Sequence, residues 1–371
     1  MGVAGNTGNV GRAGATGEYW LRVRDVQGSY TIPYIQSGRD LRVEIDFASL
    51  PAEAARATVT LRWDGEVWRR DVDRASPVAD FVALRAGEYE LTAEVADQAG
   101  EGVWHASHRS LGVGAVVAAL GDSLTEGYLG HGFARDDLDL KAAHFPPNAV
   151  SDDSRNFPQF SPTTMRHRPD VNCFQSWMAR LNNGLTNAWQ QPVFIANEGW
   201  GGYTAENYLT MMRTNQDGWV DRMRLLQPTV WLIHLGVNDE RAAVSADAFA
   251  ANLRDIVDLL CADFGAEADA IYVARPSYDY APGASAILRG YITQIDRLVA
   301  ELGLWPGPDF FATFATDKER WYGPDPVHPG PEGMDLMADL WLAALAPNRP
   351  RAKDSMAGVV RLPQDRSPEP C

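Results

Sequence analysis

From Gly112 onward the chain alternates short apolar runs with stretches of helical periodicity, and this alternation limits the fold more than any other feature of the sequence. The runs at 116–120, 193–196, 230–235, 270–274 and 310–312 are bounded by turn residues and too short for buried helices, so they read as buried strands. Between them, Phe249, Leu253, Ile256, Val257 and Leu260 recur at helical spacing, with Ser245 as the expected cap and Gly265 as the stop. On this reading Cys261 falls on the apolar stripe and is expected in the core. A second helix is expected to carry Ile287, Tyr291, Ile295, Leu298 and Leu302 along one face. Buried strands alternating with helices imply an α/β fold, a parallel sheet covered by helices on both sides.

Upstream the period changes to two. Leu41, Val43, Ile45 and Phe47 alternate with polar residues, as do Ala57, Val59, Leu61 and Trp63, and Asp64-Gly65 reads as the two-residue hairpin turn into Glu66-Val67-Trp68. Further short strands at 89–95 and 103–109, without helical stretches, point to a small antiparallel β-sandwich. Trp20, Trp63, Trp68 and Trp104 belong to its core on the preferred reading and to a sugar-stacking face on the alternative. The expected organisation is therefore a Gly-rich leader (1–18), the sandwich (19–111), the α/β domain (112–347) and a polar tail (348–371). An insert at about 128–172, rich in Pro, Asp and aromatic residues, interrupts the α/β pattern and is read as a wall of an active site or as a loose loop. In the leader, Gly2, Gly5, Gly8, Gly11, Gly14 and Gly17 recur every third residue; a flexible segment is preferred, and a collagen-like element that oligomerises the chain is the alternative.

Composition excludes several function classes. A formal charge of -16 repels phosphate backbones, so no nucleic-acid partner is expected. No apolar run is long enough for a membrane span, and the start MGVAGNTGN carries no basic and apolar signal segment; the compartment stays open, with a secreted one preferred. Three cysteines, Cys173, Cys261 and Cys371, are odd in number and widely spaced, which fits neither a disulfide framework nor a metal knuckle. His105, His108, His131, His144 and His167 show no ligand spacing either, and His234 reads as an interior residue, so no metal and no cofactor are expected.

The chemistry gathers at the carboxyl ends of the expected strands, the rim at which open α/β sheets bind ligands. Gly121-Asp122-Ser123 presents a hydroxyl there, which is either a nucleophile or a helix cap. The segment 197–204 (NEGWGGYT) turns tightly and can point amides at a ligand; Thr204 stands where a dinucleotide fingerprint needs its third Gly or Ala. Gly236-Val237-Asn238-Asp239 offers a side-chain amide, and Asp325-Pro326-Val327-His328 places a carboxylate and an imidazole in a proline-bounded turn, with Pro331 suited to the first turn of the closing helix. Asp122 and Glu126 together suggest a glycosidase pair, but Asp122 is read as the anchor of the turn and Glu126 as part of the following helix. The nucleophile-elbow pattern GxSxG is absent, since Gly121-Asp122-Ser123-Leu124-Thr125 ends in threonine.

In order and wording these four blocks resemble the SGNH hydrolases, also called GDSL esterases, over about 112–345. The resemblance implies a flavodoxin-like sheet, Ser123 as nucleophile, His328 as general base and acid, and Asp325 as the carboxylate orienting it. It further implies an oxyanion hole made of the Ser123 and Gly202 backbone amides and the Asn238 side chain. The long insert and the preceding sandwich depart from the pattern and bear on substrate range. A serine hydroxyl is a poor nucleophile at neutral pH until an adjacent imidazole takes its proton, so the residue types suit acyl transfer on chemical grounds also. The expected substrate is a small ester, by analogy an acetylated carbohydrate, with Asp122, Tyr128, Trp200 and Tyr322 as candidate contacts and Trp321 beside them. The alternatives are a lysophospholipase or thioesterase, and a glycan-binding tail or adhesin whose hydrolase fold is inert.

Overall fold

A computed structural model of the chain describes residues 19–23, 28–30, 34–128, 176–323 and 326–350. The Gly-triplet leader, nearly all of the expected insert, Asp325 and the tail beyond 350 lie outside the described residues.

The first part of the chain forms β1 (Tyr19–Val23), β2 (Gly28–Tyr30), β3 (Tyr34–Gln36), β4 (Leu41–Ile45), β5 (Arg56–Trp63), β6 (Glu66–Asp73), β7 (Val78–Phe81), β8 (Gly87–Ala96) and β9 (Gly102–Val113). One sheet runs β2-β9-β8-β5-β6 with β3 also on β9, and the other runs β1-β4-β7. Antiparallel pairs make up its centre, while β1 joins β4, and β2 and β3 join β9, in parallel. The two-residue period sends Leu41, Val43 and Ile45 from one sheet, and Tyr89, Leu91, Ala93 and Val95 from the other, into a single core. Asp64 and Gly65 both take positive φ, 48° and 80°, as the hairpin between β5 and β6 demands. Trp104 is buried in this core and Trp63 and Trp68 pack against it beside Tyr89, so these rings serve packing first; of Trp20 only the backbone is described.

β3 ties the two parts together. Ile35 packs into the core of the α/β part, the Ser37 hydroxyl donates to the Gln227 carbonyl at 2.8 Å, and the Gln36 carbonyl accepts the Gly114 amide at 2.8 Å.

The remaining strands are β10 (Ala115–Gly121), β11 (Val193–Gly199), β12 (Val230–His234), β13 (Ile271–Arg275) and β14 (Trp305–Asp309), all parallel in the order β11-β10-β12-β13-β14. This is the flavodoxin-like order, in which the chain leaves β10 to one side for β11 and returns to the other side for β12. Successive side chains of β10 serve opposite faces. Val116, Ala118 and Leu120 enter the core shared with the helices Ala205–Thr214, Ala246–Phe264 and Ala284–Leu302. Ala115, Val117 and Ala119 enter the core shared with the helices Trp177–Trp189 and Pro331–Leu345.

The Ser245 hydroxyl caps the helix Ala246–Phe264 by accepting the Ala248 amide, and Gly265 ends it in the left-handed region. Cys261, however, is exposed, contrary to expectation: it lies one step beyond the buried Leu260 and is turned away from the stripe. In the helix Ala284–Leu302 the buried row runs through Leu288 rather than Ile287, which is 37% exposed. The fifth strand also differs. It is Trp305–Asp309, while Phe310–Phe314 forms a short helix whose amide at Ala312 is capped by Asp309. Two prolines and a glycine obscure that strand in the sequence, and they are tolerated because β14 is an edge with a partner on one side only.

Candidate active site

Ser123 begins a one-turn helix, Ser123–Glu126, at the carboxyl end of β10, where the chain order of the sheet reverses. Asp122 caps that turn, its Oδ1 accepting the Leu124 amide at 3.0 Å, and Gly127 closes it with φ 90°. Gly121 is required by proximity, because a Cβ there would lie 2.0 Å from Thr125 Oγ1 and 2.6 Å from the His234 carbonyl oxygen. The serine is thereby held at the tip of a central strand with its hydroxyl directed outward.

His328 reaches it from the last loop. Ser123 Oγ and His328 Nε2 are 2.8 Å apart. The turn around His328 is held by its carbonyl, which accepts the Gly323 amide at 2.7 Å, and by a bridge between Tyr322 and Pro329. The Tyr128 ring stands edge-on to the imidazole, 4.8 Å between centroids. Asp325, the expected carboxylate partner, lies outside the described residues.

Two loops complete the crevice. Gly202 follows β11 with φ 85°, a conformation that favours glycine. Asn238 lies on the short helix Val237–Arg241 after β12, and its Nδ2 donates to the Tyr203 carbonyl at 3.1 Å, leaving its second amide hydrogen for another acceptor. Two carboxylates hold this arrangement. Glu126 Oε2 accepts the Gly201 amide at 3.1 Å, and both oxygens of Asp239 lie 3.1 Å from the Ala205 amide at the start of the helix Ala205–Thr214. The glycine loop is thus fixed to the serine turn on one side and to the asparagine helix on the other. Sequence reasoning assigned no such role to Glu126 or Asp239, although both stand inside the motif blocks.

The result is a cavity of about 270 Å³ lined by Ser123, Tyr128, Gly202, Asn238 and His328, with Val237, Val327 and Arg241 around them. Of the other candidate contacts, Asp122, Trp200 and Tyr322 do not line it. Asp122 is buried under the serine turn, Trp200 packs in the core, and Tyr322 is buried with its hydroxyl donating to the Tyr278 carbonyl. Each is close to a motif in sequence but turned inward by packing.

Electrostatics under the site are dominated by burial. Desolvation pushes the Asp122 carboxyl up to about 7, and its Oδ2 has no hydrogen-bond partner among the described residues. Burial likewise pushes Asp239 up to about 6 and drives His234 down to about 3, so that His234 is neutral; its Nε2 lies 3.4 Å from Ser277 Oγ. Among the described residues no group of three or more His, Cys, Asp or Glu side chains could hold a metal ion.

Residues 119–336, more than half of the chain, match the model of the GDSL-like Lipase/Acylhydrolase family. No curated protein matches the chain. Among solved structures it is similar to a lipase/acylhydrolase from Enterococcus faecalis, with 14% identity over 65% of this chain and 99% of that one and a TM-score of 0.44. It is similar also to an acetylxylan esterase from Geobacillus stearothermophilus, with 16% identity over 62% and 95% of the two chains and a TM-score of 0.41. A carbohydrate acetylesterase from Xanthomonas citri shares 14% identity over 84% of this chain and 72% of its own, with a TM-score of 0.49.

Proposed function

Because the chain belongs to the GDSL-like lipase/acylhydrolase family and is a carboxylic ester hydrolase, we propose that it removes short acyl groups, acetyl foremost, from a carbohydrate-like acceptor through an acyl-enzyme on Ser123. The observation that carries this reading is the 2.8 Å contact between Ser123 Oγ and His328 Nε2 at the floor of a small cavity. It favours a working site over an inert binding fold.

In the proposed reaction His328 takes the hydroxyl proton as Ser123 Oγ bonds to the ester carbon. The negative charge that develops on the former carbonyl oxygen is met by the Ser123 and Gly202 amides and by the second amide hydrogen of Asn238. Collapse breaks the bond to the acceptor oxygen, which leaves with the proton from His328. Water then adds to the acyl-enzyme, giving its proton to the same imidazole, and the acid departs as Ser123 recovers its hydrogen. Asp325 is assigned to the other ring nitrogen, where it would fix the tautomer and stabilise the imidazolium.

Cavity size supports a short acyl group: about 270 Å³ lies just below the usual range for small-molecule sites. Val237 and Val327 are the aliphatic side chains lining it among the described residues, little for a long acyl chain to bury against. Labelling of Ser123 with a fluorophosphonate, lost in Ser123→Ala, tests the nucleophile. Rates on acetyl, octanoyl and palmitoyl esters, beside acetate release from acetylated polysaccharides, test the substrate class. A preference for palmitoyl esters would overturn it.

A further inference from the structure

We propose that Arg241 forms an anion subsite beside Ser123, and that the acceptor half of the ester carries a carboxylate, as in an acylated hydroxy acid or an acylated acidic sugar. This rests on the short-acyl esterase reading and narrows its substrate. Arg241 lines the same cavity as Ser123 and His328, and neither Asp nor Glu lines it among the described residues. In a chain of formal charge -16, a permanent cation beside the reacting serine runs against the charge of the whole molecule.

The way Arg241 is held makes this more than an ion pair. Asp279, whose side chain is fully buried, takes both Arg241 Nε and Nη2 on the single oxygen Oδ2, each at 3.2 Å. The other oxygen of Asp279 accepts the Ala281 amide at 2.7 Å, which fixes the carboxylate. A guanidinium has two edges that match a carboxylate, Nε with Nη2 and Nη1 with Nη2. Asp279 occupies the first and sets the plane of the group. Among the described residues the second edge has no partner, on a side chain 44% exposed at the cavity. Two oxygens of a planar anion fit that edge as hydrogen-bond acceptors.

The test compares acetate release from an O-acetylated oligouronate with release from the same oligomer after methyl esterification of its carboxylates. Wild type is expected to favour the free acid by roughly 10- to 100-fold in kcat/KM, the span of a charge-assisted hydrogen-bonded pair. In Arg241→Gln that ratio falls towards one, and Arg241→Lys keeps part of it. Equal or inverted rates in wild type overturn the proposal while leaving the esterase reading intact. A second measurement needs neither a variant nor turnover. The non-acylated uronate should protect Ser123 of the wild-type protein from fluorophosphonate labelling better than its methyl ester does, and equal protection overturns the subsite. Failure to release acetate from either oligomer, with this protection present, counts against the short-acyl reading and not against the subsite.

Discussion

Asn238 spends one amide hydrogen on the Tyr203 carbonyl, 3.1 Å away, and this bond aims the other. The side chain is fixed before any substrate arrives, so it need not reorganise as charge builds in the transition state. Asn238→Ala is therefore expected to lower kcat by roughly 10² to 10³ while changing KM little. Steady-state kinetics on a soluble acetyl ester read this directly, and a loss confined to KM would overturn the proposed place of Asn238 in an oxyanion hole.

The bond between Glu126 Oε2 and the Gly201 amide acts one step further from the chemistry. Glu126 is a positioning residue: it holds the loop whose next amide, that of Gly202, is assigned to the oxyanion. Glu126→Ala is expected to cost on the order of 10²-fold in kcat, the scale of a displacement of about 1 Å in a reacting group. Glu126→Gln retains an oxygen that can accept the amide and should recover most of the loss. Equal damage by both substitutions would show that the charge matters rather than the bond.

Asp122 makes a prediction about pH. Its carboxyl is raised from the ordinary carboxylate range to about 7, so the folded state holds a proton that the unfolded chain has already lost. Stability from this group is present at low pH and falls as the pH rises from about 4 through 7. Asp122→Asn keeps an oxygen for the Leu124 amide and cannot ionise. Urea midpoints of the variant and wild type should differ most at pH 8, in favour of the variant, and converge towards pH 5. Asp239, raised to about 6, is present in both proteins, so its own burial cancels from the difference, while its repulsion with Asp122 is relieved in the variant and adds to the gap at high pH.

Much of this could be read from the chain because the relevant signals are local. The run ending at Leu120, the Ser245 cap and the Asp64-Gly65 turn depend on neighbours within a few residues, and each takes the expected form. Signals that depend on convergence were hidden. Glu126 and Asp239 become anchors only because β10, β11 and β12 bring three loops to one rim. Arg241 acquires its orientation from Asp279, 38 positions away, a pairing that no spacing rule announces. Trp200 and Tyr322 looked like substrate contacts because aromatic rings near motifs are ambiguous between a pocket and a core, and packing decided for the core. The strand Trp305–Asp309 was missed because its prolines contradict strand propensity, whereas the apolar run just after it imitates a strand and is a helix.

A fully buried ion pair lies at the end of β11. Arg222 Nε and Nη2 meet Glu198 Oε1 and Oε2 at 3.0 and 2.5 Å, with the two side chains 1% and 0% exposed. Glu198 sits near the end of β11, its carbonyl accepting the Tyr208 hydroxyl at 2.8 Å, so strand, helix Ala205–Thr214 and Arg222 are joined at one residue. Taking two charges out of water is costly, and their attraction repays it only when both partners are present. Removing either one alone, as in Arg222→Met or Glu198→Leu, leaves a buried charge unpaired and should cost about 3 to 5 kcal/mol. The double variant is expected to lose far less than the sum, because apolar side chains of similar volume need no partner. Urea unfolding of the four proteins gives the coupling, with acetyl esterase activity at a temperature where all four are folded as the control. Additive losses would mean that the pair is not coupled and that the strand end is held by packing alone.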